Sequence, residues 1–192
     1  LRCLVGSEMC IRDRIGAAEN TITVGDTLTI KVFQALASAV KHQRNRKILL
    51  TDSSNFPSDI YAAQGLVNMM GPDYALNIVP TDKLIENINE NVAAIFFTEV
   101  DYKTGRRYET KNILTAAKKS GALVILDLAH SAGAIDTNLT ELDVDLAVGC
   151  TYKYLNGGPG SPAFTYVNPK LINSLDPCLS GWLGHELSLI HI

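Results

Sequence analysis

The chain has 192 residues, 46% of them hydrophobic and 19% charged, which is enough for one medium-sized domain with a real core. A net charge of −3 and a pI near 5.8 argue against nucleic acid or an anionic membrane as partner, and no apolar run reaches the ~18 residues a membrane span requires. Four cysteines without a CxxC pair or metal-like spacing indicate neither a disulfide scaffold nor a zinc site, so no metal is expected and a reducing cytoplasm is the expected compartment.

In chain order, residues 1–14 carry no periodicity that continues into the body and are set aside, with residues 187–192, as non-native ends. From Thr27 to Lys41, apolar residues recur at helical spacing (Leu28, Val32, Leu36, Val40), and Asp26 or Thr27 is the expected N-cap. Lys47 to Asp52 reads as a strand, and Pro57 opens a helix that runs to about Met70. A short strand over Leu76 to Val79 and a short helix over Thr81 to Asn89 follow. Val92 to Val100 is a buried strand, and Lys111 to Ser120 is a helix closed by Gly121. Two further apolar runs end at Asp127 and at Cys150. Ala163 to Val167 returns as a strand before a helix expected near Pro169. Strands alternating with helices at this spacing predict an α/β fold, a mostly parallel sheet flanked by helices, in one domain.

Chemistry concentrates at two strand ends. Lys153 stands between Tyr152 and Tyr154, after the run Leu146 to Cys150 and before the glycine-rich turn Gly157-Gly158-Pro159-Gly160. An amine at such a place sheds ammonium solvation and can serve as a nucleophile or Schiff-base former, although a lysine after a strand is also commonly plain surface. Asp127 closes the preceding buried strand, where ligands gather in open α/β sheets; by itself it reads equally well as a helix N-cap. A carboxylate at one strand end and an amine at the next suit pyridoxal phosphate. The acid keeps the ring nitrogen protonated and the lysine holds the aldehyde.

Four segments carry a resemblance: Phe56-Pro57-Ser58-Asp59, Asp127-Leu128-Ala129-His130, Tyr152-Lys153-Tyr154-Leu155-Asn156 and Gly181-Trp182-Leu183-Gly184-His185-Glu186. In order and spacing the chain resembles the kynureninase family over roughly residues 18 to 186. The resemblance implies the large pyridoxal 5'-phosphate-binding domain of a fold-type-I enzyme, placed at residues 15–186, with the C-terminal small domain missing. It implies Lys153, Asp127 and Tyr152 as catalytic residues. It implies cofactor contacts from Leu28 and Thr29 at the phosphate, Phe56, Pro57, Ser58 and Asp59 in the ring-stacking loop, and Thr98, His130 and Trp182. The implied reaction is hydrolysis of the Cβ–Cγ bond of L-kynurenine or its 3-hydroxy form, in tryptophan catabolism and NAD biosynthesis, by a cytoplasmic homodimer acting on a small amino-acid substrate. Asp127, His130 and Lys153 are shared with cysteine desulfurase-like lyases, which stay open as an alternative beside a non-catalytic fragment of the same fold.

Overall fold

The β-branched and aliphatic runs in the middle of the chain form strands buried on both faces, as a parallel sheet covered by helices on each side requires. The structure, a computed structural model, describes residues 2–179. Within them, β1 (Ile22–Gly25), β2 (Ile48–Asp52), β3 (Ala75–Val79), β4 (Val92–Thr98), β5 (Leu123–Asp127), β6 (Leu146–Cys150) and β7 (Ala163–Val167) make one sheet in the order β1-β7-β6-β5-β4-β2-β3. Strands β3, β2, β4, β5 and β6 run parallel. Strand β7 is antiparallel to both its neighbours, so β1 points the same way as the parallel set.

Five helices accompany the described strands: α1 (Arg2–Arg14), α2 (Leu28–His42), α3 (Pro57–Met70), α4 (Thr110–Ser120) and the single turn α5 (Leu139–Leu142). Successive strand side chains point to opposite faces. Thus Phe97 and Leu126 join Ile113, Leu114 and Ala117 of α4 on one side of the sheet. Phe96 and Ile125 join Val32, Leu36 and Ala63 of α2 and α3 on the other. None of the described helices is long and apolar enough to cross a membrane.

Boundaries follow local chemistry. Pro57 occupies the first turn of α3, where its missing N–H costs nothing, and α4 ends on Gly121 at φ 75°. Thr27 caps α2 through its backbone carbonyl, which accepts from Lys31 N–H at 3.0 Å, and its side chain makes no capping bond.

Two expectations are corrected, and two segments given no element take regular form. The helix expected over Thr81 to Asn89 is two short 3₁₀ turns, Thr81–Lys83 and Ile85–Asn87. Asn87 and Asn89 donate their amides to backbone carbonyls there, which competes with a regular helix. The helix expected near Pro169 is a set of turns seeded by Asn168, whose Oδ1 accepts from Lys170 N–H at 3.0 Å. Strand β1 went unforeseen because none of its four residues is buried, which leaves little periodic signal; β7 supplies its register. The segment set aside at the N-terminal end forms α1, whose Ile11 is buried, as is Ile15, and the Gly16 carbonyl accepts from both the N–H and the hydroxyl of Thr140.

Candidate active site

The parallel strands bring their carboxyl ends to one edge of the sheet, where loops lead away and ligands have room. Asp127 is the last residue of β5 and lies in register with Thr98, the last residue of β4. Its Oδ1 accepts from the N–H of Ala129 at 2.9 Å, so it shapes a turn and caps no helix. Its Oδ2 is buried and has no hydrogen-bond partner. Burial pushes the Asp127 carboxyl above the ordinary carboxylate range, against the opposing pull of the Ala129 N–H and the Lys153 charge.

A second acid is buried within reach of the Asp127 charge. Asp59, in the first turn of α3, is 1% exposed. Burial, and then the charge of Asp127, push its carboxyl up, while Ser58 and Lys153 work the other way. One acid, Asp127, and one lysine, Lys153, thus act on the Asp59 ionisation in opposite directions.

Past Cys150 the chain bends sharply, and the Lys153 amine comes to rest 2.8 Å from Nε2 of His130. His130 is placed by the turn after β5, which Leu128 N–H ties to the Val148 carbonyl at 2.8 Å. Gly133, at φ 87°, closes that turn against the lysine loop, since a Cβ there would stand 2.6 Å from the carbonyl oxygen of Tyr154. Burial, and then Lys153, hold the His130 ring below its ordinary pKa, so a neutral imidazole can accept a hydrogen bond from the Lys153 nitrogen.

Phe56 ends the loop after β2, its ring centroid 5.5 Å from the Lys153 nitrogen. Tyr152 is 45% exposed, and Lys153 Nζ lies 5.8 Å from its ring centroid. Burial, and then Cys150, push the Tyr152 phenol up to about 12, so it holds its proton at neutral pH. Thr98 donates its hydroxyl proton to the Val100 carbonyl at 2.9 Å. Leu28 and Thr29 are the first residues of α2, where N–H groups lack intrahelical partners and the dipole favours an anion. Pro57 and Ser58 stand with Asp59 in the first turn of α3. Trp182 lies outside the described residues.

Sequence reading gave Tyr102 no role, yet its ring packs edge-on to Phe56 at 4.9 Å and lies 6.3 Å from His130 at an interplanar angle of 29°. The available signal was an aromatic residue just beyond a buried strand. Among the described residues no group of three His, Cys, Asp or Glu side chains is disposed to hold a metal ion. Chemically, the arrangement offers an amine paired with an imidazole, an orphaned buried carboxylate, an aromatic face and a phenol that keeps its proton.

A model of the class-V aminotransferase family matches residues 10–187. The kynureninase of Deinococcus radiodurans is 42% identical over 171 residues, which covers 89% of this chain and 41% of that protein. The kynureninase of Pseudomonas fluorescens is 42% identical over 177 residues, covering 90% and 42%. The chain therefore spans about two fifths of the length of these curated relatives. Among solved structures, a NifS-like protein superposes with a TM-score of 0.79 at 16% identity, over 93% of this chain and 50% of that one. The cystine C–S lyase C-DES, in complex with its product cysteine persulfide, gives 0.80 at 17%, over 94% and 50%. These two likenesses establish the fold.

Proposed function

This chain belongs to the class-V aminotransferase family, and from that premise we propose that the intact protein is a kynureninase-type hydrolase. It cleaves the Cβ–Cγ bond of L-kynurenine or 3-hydroxykynurenine, yielding anthranilate or 3-hydroxyanthranilate and L-alanine. The relatives of highest identity described above carry that name, while the NifS-like protein and the cystine C–S lyase share the fold alone. The setting we propose is tryptophan catabolism in the cytoplasm, with the site in residues 15–186 of each subunit of a homodimer.

The cofactor in this reading is pyridoxal phosphate, and the residues present fit it. The observation that carries the reading is Oδ2 of Asp127, a buried acceptor without a donor, set beside a lysine amine. A protonated pyridine nitrogen is the donor it lacks. When bound, the group supplies an electron-accepting ring conjugated to the reacting carbon of the substrate.

The chain's own residues do the rest. Asp127 would hold the ring nitrogen in its charged form, and Asp59, whose carboxyl is pushed up by burial and by the charge of Asp127, keeps its proton and leaves Asp127 as the charged acid. Lys153 would hold the aldehyde, and its amine would take the substrate's α-proton, with His130 Nε2 2.8 Å away to accept a hydrogen bond from it. Phe56 offers its face to the ring, and the free N–H groups at Leu28 and Thr29 receive the phosphate. Tyr152 delivers a proton to the β-carbon left by bond cleavage. Trp182 is the second phosphate donor.

Intact protein incubated with pyridoxal phosphate should turn yellow, and Lys153→Ala should lose that absorption band. Kynurenine should then release anthranilate and alanine. Release of sulfur from cysteine, with kynurenine left intact, would overturn the assignment in favour of a desulfurase-like lyase.

A further inference from the structure

We propose that Tyr102 is a specificity-determining residue, the one that recognises the aryl group of the substrate; this deepens the kynureninase reading and rests on it. The first ground is position. Phe56 lies within 5.5 Å of the lysine nitrogen and is committed to the reacting end. Tyr102 packs edge-on against it, at an interplanar angle of 73°, and lies alongside His130, its ring centroid 6.3 Å away against 6.2 Å for Phe56. It is half-buried. A γ-aryl ketone extends away from its α-carbon by two further carbons, so its ring reaches beyond Phe56 toward the next aromatic side chain. Tyr102 supplies a phenol there, which can stack offset on an electron-rich aniline ring and offer a hydroxyl to its amino group.

The second ground is how firmly Tyr102 is held. It sits at the tip of a short hairpin between β4 and α4, bridged at Val100 and Arg107. Asp101 N–H donates to the Arg106 carbonyl at 2.9 Å, and Asp101 Oδ1 accepts from Lys103 N–H at 2.7 Å. At the root, Glu99 is fully buried, ion-paired to Arg107 at 2.9 Å and accepting from the Thr137 hydroxyl at 2.8 Å. Tyr108 donates to Asp52 at 3.0 Å. Burying a carboxylate for a pair whose arginine is half exposed adds little net stability. What this root does accomplish is to fix the direction of the tip, as recognition of a planar group demands.

The test uses the intact enzyme loaded with pyridoxal phosphate, with two probes that separate the parts of the substrate. Anthranilate carries the aryl group alone, and L-alanine carries the amino-acid part alone. Tyr102→Ala should weaken anthranilate inhibition and raise KM for kynurenine by about tenfold, in line with the loss of an aromatic pair. Alanine binding, followed by the change in cofactor absorbance, should stay within about twofold, and Tyr102→Phe should recover most of the anthranilate affinity. Equal weakening of both probes would mark Tyr102 as merely structural, and unchanged anthranilate inhibition would remove it from the site; either result overturns the proposal. A wild-type enzyme that binds alanine but neither binds anthranilate nor cleaves kynurenine would instead sink the parent reading, and this one with it.

Discussion

Asp59 and Asp127 are 1% and 4% exposed, and the charge of Asp127 makes ionisation of Asp59 harder still. Burial lifts both carboxyl groups above their ordinary value of 3.8. An acid whose pKa is higher in the folded state than in the unfolded chain binds its proton more tightly when folded. Its contribution to stability is therefore full below the ordinary value and is lost as pH rises through the elevated one. The cofactor-free protein should accordingly weaken between mildly acidic and mildly alkaline pH. Asp59→Asn, neutral at every pH, should flatten that decline and stabilise the alkaline end by about 1–2 kcal/mol, on the order of one pKa unit's worth of free energy. Urea midpoints across the range check this, and parallel pH profiles for wild type and variant would contradict it. Asp127 and Lys153 were legible in the sequence because each follows an apolar run that can only be a buried strand. Tyr102 was not, because the partners that define it, Phe56 and His130, arrive from two other strand ends.

At the scale of elements, legibility tracked burial and punctuation. Strands β4, β5 and β6 are buried at every residue and announced themselves as apolar runs, and α3 was marked by Pro57 and α4 by Gly121. Strand β1 and the turns around Asn87 and Asn168 take their form from partners distant in sequence or from side-chain hydrogen bonds, which hydrophobic periodicity does not register. The pairing of β6 with β7 has a consequence for the lysine. Gly149 stands opposite Phe164 across this pair, and a Cβ on Gly149 would collide with the Phe164 ring. The ring occupies the space a side chain would need, so the close fit of the two strands depends on glycine. Gly149→Ala should therefore cost about 1–3 kcal/mol, the usual penalty for overpacking a filled core. Because β6 ends one residue later and leads directly into the lysine bend, the same substitution should also blunt the cofactor absorption band. A variant with wild-type stability and an unaltered spectrum would show that β7 can shift without disturbing Lys153.

On the scale of the whole molecule, the site has no single owner in the sequence. Phe56 and Asp59 come from the loop and helix after β2, Thr98 and Tyr102 from the end of β4 and the loop beyond it, Asp127 and His130 from β5, and Lys153 from β6. Only the finished sheet brings them together, so a ligand that uses them binds the native state and has nothing comparable to hold in the unfolded chain. Mass action then turns binding into stability: a ligand present at a hundredfold its dissociation constant adds about 2.7 kcal/mol. For a domain of 150–250 residues each kcal/mol moves the melting temperature by about 2–4 °C, and by about half that for a protein twice as long, so saturating pyridoxal phosphate should raise Tm of the intact protein by roughly 3–5 °C. Lys153→Ala should keep part of that rise, because Phe56, Asp127 and the α2 terminus still offer non-covalent contacts, whereas replacing Asp127 as well should abolish it. Thermal melts with and without the cofactor decide the matter. A Tm indifferent to pyridoxal phosphate would mean that the strand ends converge without forming a binding site.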